Sequence, residues 1–170
     1  MIEKILQDNN KSKIFFPILI FFIWLIIYLT CFFSWNHQLW WDETSYLTTA
    51  RGIAENFDFG SRSTTVQGTI KYPYPQSTHH FPLYSAYVAI FFKLFGVSIN
   101  VAYFSTWLAG LVCTLFIYFT MLILSKDNYI MSFISSLCFL LSPRITHMCD
   151  SGMMEIPGAT LLSILIFIVF

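Results

Sequence analysis

Hydrophobic residues occur along this chain in long runs that are separated by short polar segments. The run 14–34 contains no charged residue and is long enough to cross the roughly 30 Å hydrocarbon core of a bilayer as a helix. A second long run covers 101–125, and shorter apolar stretches cover 81–95, 129–143 and 157–170. The pattern predicts an all-α membrane protein, a polytopic helical bundle with spans at about 14–34, 101–125, 129–143 and 157–170.

In the segment 43–57 the hydrophobic positions follow a helical period instead. One face of such a helix carries Tyr46, Leu47, Ala50, Ile53, Ala54 and Phe57, and the opposite face carries Ser45, Thr48, Arg51 and Glu55. A helix of this kind is too polar to span a bilayer and suits the interface plane. The segment 58–80 that follows contains several Gly, Ser and Pro residues and predicts a loop.

Composition agrees with a membrane protein. Of the 170 residues, 56% are hydrophobic and 11% are charged, whereas soluble domains carry about 25% charged residues. The formal net charge of zero argues against a nucleic-acid partner. The four cysteines show no C-x-x-C spacing, so neither a disulfide framework nor a thiolate metal site is expected. The last apolar run extends to Phe170 without a polar flank, so we expect this chain to be the N-terminal part of a longer protein.

The membrane topology has two interpretations. Lysines before the first run favour a cytoplasmic N-terminus, which places Asp42 on the outer side. If 81–95 spans the bilayer, Glu155 lies on the cytoplasmic side, opposite Asp42. If 81–95 is interfacial or re-entrant, both acids share the outer face. The lengths of the apolar stretches do not decide between the two. The basic residues slightly favour the first, because Lys93 and Arg144 would both be cytoplasmic if every stretch spanned.

Asp42 and Glu43 are adjacent acids where the first span gives way to water. The helical period of 43–57 places Asp42 at the N-cap of that predicted helix and Glu43 in its first turn. The ordinary explanation is structural, because Asp caps helices well and acids in the first turn complement the helix dipole. The functional explanation is that the same dipole keeps a carboxylate ionised, as a general base requires.

Other polar residues are weaker candidates. His79 and His80 could contact a phosphate, and Arg51 is a candidate phosphate partner, although a solvated surface explains each equally well. His147, Asp150 and Glu155 form a loose set of potential metal ligands. They lack the helical spacing of a metal motif. The metal is therefore unknown, and a divalent cation is an option rather than an established cofactor.

Three segments together resemble the family of protein O-mannosyltransferases and lipid A aminoarabinose transferases, which are C-type membrane glycosyltransferases related to glycosyltransferase family 39. The segments read WWDETSYLTTARGIAENFDFG, HHFPLYSAYVAIFFKLFGVS and LLSPRITHMCDSGMMEIPGATLL, and they occur in the family's order over about 35–160. Two departures are Phe81, where the family often has proline, and His80, where the aminoarabinose branch has lysine.

The resemblance implies an inverting glycosyltransferase that moves a sugar from a polyprenyl-phosphate donor to a lipid, glycan or protein acceptor at the outer face of the membrane. Asp42, with Glu43 beside it, corresponds to the family's catalytic acidic motif. The second outer acid corresponds to Glu155 or, less well, Asp150. Tyr46 corresponds to the tyrosine of the family's first outer helix.

In the same family a basic residue before the proline is implicated in binding the carrier phosphate, and it corresponds to His80. The resemblance also favours the topology with both acids outside. The first outer loop, 35–100, then holds juxtamembrane amphipathic helices at 43–57 and 81–95. The expected location is a cell-envelope membrane, with the lipid bilayer, the sugar donor and the acceptor as partners.

The alternative is a non-catalytic polytopic membrane protein, either a transporter or flippase component or an inactive truncated fragment. A transporter predicts charged residues within the spans that line its pathway. The long runs 14–34 and 101–125 contain none.

Overall fold

The computed structural model describes residues 9–33, 41–58, 83–151 and 154–170. Within these ranges all regular structure is α-helical, in agreement with the predicted all-α class, and no strand occurs. The helices are, in chain order, α1 (Asn9–Phe33), α2 (Trp41–Asn56), α3 (Leu83–Phe95), α4 (Ile99–Leu124), α5 (Tyr129–Leu140), α6 (Pro143–Cys149) and α7 (Glu155–Val169).

Two of these helices are long and apolar enough to cross a membrane, namely α1 over Ser12–Cys31 and α4 over its whole length. A third span results if α5 and α6, which meet at a bend of 61°, are counted as one. The bend falls at Pro143, which has no N–H to continue the α5 ladder and is instead suited to the first turn of α6. Helices α3 and α7 are apolar but shorter.

Helix α4 packs against most of the other helices and lies in the larger of two hydrophobic cores. Trp24 of α1 donates its indole N–H to the carbonyl of Trp107 at 2.9 Å. Phe16, nearer the start of α1, stacks on Tyr129 at the start of α5, with ring centroids 6.4 Å apart. The α4–α5 turn therefore lies at the same end of the bundle as the start of α1.

Helices α2 and α3 form the smaller core, which confirms the predicted amphipathic face of α2 at most of its positions. The core consists of buried residues Tyr46, Ala50, Ile53, Tyr84, Val88, Ala89, Phe92 and Ala102, the last of them from α4. Phe57 is an exception, with 71% of its surface exposed. It lies beyond the end of α2 in a left-handed conformation, φ 55°, and its ring faces the Lys93 ammonium at 4.7 Å.

Both ends of α2 differ in detail from the sequence prediction. The helix begins at Trp41, so Asp42 lies in its first turn and not at the N-cap. At the other end the Gly52 carbonyl accepts a hydrogen bond from the Asp58 N–H at 3.2 Å. A Cβ on Gly52 would lie 2.9 Å from the Asp58 carbonyl oxygen, so this turn requires glycine.

Helix α7 packs alongside α4 through small and polar residues. Thr160 donates its hydroxyl to the Ala109 carbonyl at 2.8 Å. Further along, the rings of Phe167 and Phe116 pack edge to face, with centroids 5.2 Å apart. Gly110 allows the corner between α6 and α7 to approach α4 closely, because a Cβ at this position would lie 2.7 Å from the Cys149 sulfur.

This approach predicts that Gly110→Ala destabilises the fold. Overpacking of this kind costs about 1–3 kcal/mol, and the loss is measured as a lower apparent unfolding temperature in detergent. Cys149→Ala in the same background should recover part of that loss. The matched control is Gly158→Ala on α7, which has no atom within 4 Å of its Cβ position and should be neutral or slightly stabilising. Equal unfolding temperatures for the two single alanine variants would contradict the close approach.

Candidate functional site

The carboxylate of Glu43 lies inside the protein, with 0% of the residue exposed. Glu43, Tyr46, Ala50 and Ile53 follow one another at intervals of three or four residues, so they share one face of α2. This face packs into the smaller core. Because an acidic side chain is rarely buried without hydrogen-bonding or charged partners, the surroundings of Glu43 define the candidate site.

Tyr84 of α3 connects this face of α2 to α4. Its ring packs edge to face against Tyr46, with centroids 5.3 Å apart. The neighbouring Ser85 donates its hydroxyl to the Tyr46 carbonyl at 3.1 Å. On the other side, the hydroxyls of Tyr84 and Thr106 are 3.4 Å apart and share a hydrogen bond. The three helices are therefore joined at the level of Thr106.

Two carboxylates act on the Tyr84 hydroxyl. Burial is the largest effect and raises the pKa of Tyr84, the hydrogen bond with Thr106 opposes this rise, and the negative charges of Glu43 and Glu155 add to it. Both acids therefore lie within electrostatic range of one phenol. That phenol stays protonated at neutral pH and keeps its O–H as a donor.

Tyr103 occupies a similar position one turn before Thr106 on α4, and it is 2% exposed. Its hydroxyl is within electrostatic range of the carboxylates of Glu43 and Asp150 and of the Tyr84 hydroxyl. Asp150 ends α6, where its N–H bonds to the Thr146 carbonyl at 3.1 Å. Tyr103 is thus within electrostatic range of both the start of α2 and the end of α6.

These residues form what we call the acid–tyrosine cluster, consisting of Glu43, Tyr84, Tyr103, Asp150 and Glu155. Its acids differ in exposure, since Glu43 is fully buried, Asp150 is half-buried and Glu155 is exposed. The carboxylates can accept protons or hydrogen bonds, and the phenols can donate hydrogen bonds. A hydroxyl-rich ligand could therefore reach the exposed side of the cluster without reaching Glu43.

The cluster bears on the two topologies left open by the sequence. Glu43 and Glu155 both act on Tyr84, so the Asp42–Glu43 turn and the start of α7 lie at the same end of the helices. The arrangement with these acids at opposite ends does not occur in the structure. Lys126 and Asp127, in the turn after α4, mark the other end of that helix.

The loose metal-ligand set suggested by the sequence does not assemble in the described part of the chain. No three His, Cys, Asp or Glu side chains within the described ranges come together in a way that could hold a metal ion. His147 is exposed on α6.

Tyr46 and Arg51 are also predicted to bind substrate, but neither is placed where a ligand could reach it in the cluster. Tyr46 is 6% exposed and serves to pack α2 against α3. Arg51 is exposed and pairs with Glu55, with Nε and Oε1 2.8 Å apart. Eight residues separate Arg51 from Glu43, a rise of about 12 Å along the helix, so the structure does not bring Arg51 to the acids.

Arg51 instead lines a shallow groove beside the turn between α3 and α4. The groove has a volume of about 290 Å³ and is lined by Thr44, Leu47, Thr48, Arg51, Phe92, Val97, Ser98 and Ile99. It lies along the polar side of α2. The fully buried Glu43 is not among its lining residues.

Some predicted site residues lie outside what the structure describes. Residues 59–82, which include His79, His80 and most of the predicted loop, are outside the described ranges. For Asp42 the backbone is described, as part of the first turn of α2, but the side chain is not. The predicted roles of Asp42, His79 and His80 therefore stay predictions.

Sequence reasoning missed Tyr84 and Tyr103. Both lie in apolar stretches and were counted there as hydrophobic residues. A signal was nevertheless present, because a buried tyrosine usually needs a partner for its hydroxyl. Glu43 also falls in register with Tyr46, Ala50 and Ile53, which indicates that it shares the buried face of α2.

Comparison of the chain with protein-family models, characterised proteins and solved structures finds no significant match in any of the three. The resemblance to C-type glycosyltransferases therefore depends on the quoted sequence segments alone.

The shared end of the acids can be tested by labelling single cysteines in sealed vesicles, in a background free of Cys31, Cys113, Cys138 and Cys149. Thr44→Cys, Glu155→Cys and Lys126→Cys each place a thiol at an exposed position. We expect a membrane-impermeant maleimide to label the first two from one side and Lys126→Cys from the opposite side. Labelling of Glu155→Cys together with Lys126→Cys, and not with Thr44→Cys, would contradict the arrangement.

Proposed function

We propose that this chain belongs to an inverting membrane glycosyltransferase that transfers a sugar from a polyprenyl-phosphate donor to an acceptor hydroxyl. The observation that carries the proposal is the convergence of the Asp42–Glu43 turn with Asp150 and Glu155 at one end of the helices. The sequence resemblance assigns the two outer acids of such an enzyme to these same segments. They are about 110 residues apart in the chain, so their position at the same end of the helices is a property of the fold.

In the proposed reaction Asp42 is the general base. It takes the proton of the acceptor hydroxyl while the acceptor oxygen attacks the anomeric carbon of the donor sugar. The new glycosidic bond forms as the bond between the anomeric carbon and the phosphate oxygen breaks, with inversion, and polyprenyl phosphate leaves. The N-terminal end of α2 favours the ionised form of a carboxylate in its first turn.

The remaining acids and bases have supporting roles in this proposal. Glu155 is exposed and Asp150 is half-buried, so both are suited to hydrogen-bond the hydroxyls of the sugar or the acceptor. His80, with His79 beside it, is assigned to the departing phosphate. Arg51 is paired with Glu55 and distant from the cluster along α2, which makes it the weaker candidate for that contact.

The membrane position follows from the same proposal. The predicted polytopic bundle holds α2 and α3 in the outer interface, with the N-terminus of the chain in the cytoplasm. The prenyl chain of the donor would lie in the lipid beside the exposed apolar side of α1 or α7, which carries residues such as Ile26, Leu29, Leu161 and Leu165. The acids would then lie where a lipid-linked donor meets a water-soluble acceptor.

A transporter is less well supported. Charged residues that line a transport pathway are expected within the spans. Helix α4 contains no Asp, Glu, Lys or Arg over its 26 residues. Its buried polar side chains are short and bonded to nearby carbonyls, as in the 2.7 Å hydrogen bond that Thr114 donates to Gly110. The acids of the acid–tyrosine cluster lie at one end of the helices, as a site at the membrane surface requires.

The proposed base predicts that Asp42→Asn lowers kcat by about 10²–10⁴-fold, the usual contribution of general-base catalysis. The protein is reconstituted in liposomes with radiolabelled polyprenyl-phosphate mannose, glucose or arabinose, and transfer is measured as release of polyprenyl phosphate and gain of label by added cell-envelope acceptors. The matched control is Asp127→Asn, an exposed acid at the other end of α4, which should retain wild-type activity. Activity of Asp42→Asn within about threefold of wild type would rule out the base.

A further inference from the structure

We propose that the groove between α2 and the α3–α4 turn binds one anionic phospholipid of the surrounding bilayer. An acyl chain lies along its apolar walls, and the phosphate contacts Arg51. The site is separate from the acid–tyrosine cluster, because Arg51 follows Glu43 by eight residues on α2, a rise of about 12 Å. It does not depend on the proposed transferase activity.

The groove has two walls that come from different parts of the fold. Four residues of α2 at intervals of three or four positions, and therefore on one helical face, form the first wall: Thr44, Leu47, Thr48 and Arg51. The second wall consists of Phe92 on α3 and residues 97–99, which lead into α4. The volume of about 290 Å³ is near the lower end of the range for ligand pockets, roughly 300–1,000 Å³. The groove can therefore hold a segment of one acyl chain but not a whole lipid.

The chemistry of the walls suits a hydrocarbon chain better than a sugar. Apart from Arg51, the lining residues are apolar or carry a single hydroxyl. Thr48 already donates its hydroxyl to the Thr44 carbonyl at 2.7 Å. The Ser98 oxygen caps α4 by accepting the Asn100 N–H at 3.3 Å. A sugar needs several hydrogen-bonding partners, whereas a hydrocarbon chain removes the apolar walls from water at the membrane surface.

The groove is continuous with exposed apolar surface at the start of α4. Val97 and Ile99 line the groove and are themselves exposed. Leu94 and Phe95, at the end of α3, are exposed large hydrophobic residues beside them. Helix α4, which begins at Ile99, is long and apolar enough to cross a membrane. A lipid acyl chain beside the first turn of that span therefore reaches the groove without leaving the bilayer.

Arg51 supplies the charge that selects an anionic headgroup, since it is the one charged residue in the groove lining. Its Nε donates to Glu55 Oε1 at 2.8 Å. Its terminal nitrogens donate no hydrogen bond within the described part of the chain. A guanidinium carries five N–H donors in a planar fork, so the terminal nitrogens can bind phosphate oxygens while Nε stays with Glu55. Glu55 does not line the groove and orients the guanidinium from outside it.

The test measures binding of phosphatidylglycerol to the delipidated full chain in detergent, by native mass spectrometry. Wild type should bind one phosphatidylglycerol with a lower Kd than phosphatidylcholine, whose choline group cancels the phosphate charge. Arg51→Gln should raise the Kd for phosphatidylglycerol about tenfold, as expected for loss of charge-assisted hydrogen bonds. Glu55→Gln is the matched control. It removes the other half of the ion pair and should leave this Kd unchanged or lower it.

A second pair of variants tests the apolar part of the site. Val97→Trp places a bulky ring in the groove and should abolish binding of phosphatidylglycerol. Leu94→Trp makes a similar change at an exposed position outside the groove lining and should bind like wild type.

Three results would overturn the proposal. Equal losses in Arg51→Gln and Glu55→Gln would show that only their ion pair matters. Equal Kd values for Val97→Trp and Leu94→Trp would show that the groove holds no acyl chain. Tighter binding of polyprenyl phosphate than of phosphatidylglycerol would assign the groove to the sugar carrier instead. Because no sugar transfer is measured, these results are independent of the proposed activity.

Discussion

The fold of this chain depends on a carboxylate that is kept away from water. Glu43 is fully buried at the junction of α2, α3 and α4, and burial of a charge is unfavourable unless donors surround it. Two tyrosines from two different helices, Tyr84 of α3 and Tyr103 of α4, lie within electrostatic range of Glu43. The buried acid therefore lies at the junction that holds the smaller core together.

The same tyrosines extend the constraint to a distant part of the chain. Tyr84 is within electrostatic range of Glu155, and Tyr103 is within range of Asp150. Close packing at Gly110 makes this possible, since it allows the α6–α7 corner to approach α4 where any side chain would meet the Cys149 sulfur. Small residues commonly allow such approaches between helices in membranes. The close packing at Gly110 and the buried acid Glu43 are thus both part of the arrangement that places acids from two chain segments at one end of the bundle.

Much of this fold could be predicted from the sequence, because uninterrupted apolar runs and a helical period are local signals. The bounds of α1, α3, α4 and α7 lie within a few residues of the predicted segments, apart from the earlier start of α1. The start of α2 was misplaced by two residues, since helix ends depend on weak interactions. Whether both acids share one end could not be derived from lengths and charges, because it depends on contacts between segments far apart in the chain.

The candidate site was predictable only in part. Asp150 and Glu155 were identified as polar residues between apolar runs, and both reach the cluster. Tyr84 and Tyr103 were hidden in those runs, because a tyrosine in an apolar stretch is ordinarily read as a packing residue. Glu43 was recognised as an acid but not as a buried one, although its register with Tyr46 carried that information.

The central claim is that the first turns of α2 and α7 lie at the same end of the bundle, within electrostatic range of Tyr84, and photocrosslinking in membranes tests it most directly. Tyr84 is replaced by photoreactive benzoylphenylalanine, the protein is irradiated, and internal crosslinks are located by mass spectrometry of its peptides. The account predicts crosslinks to α2 near Glu43 and Tyr46, to α4 near Thr106, and to the start of α7. Crosslinks confined to lipid, or directed to the turn at Lys126 and Asp127, would contradict it.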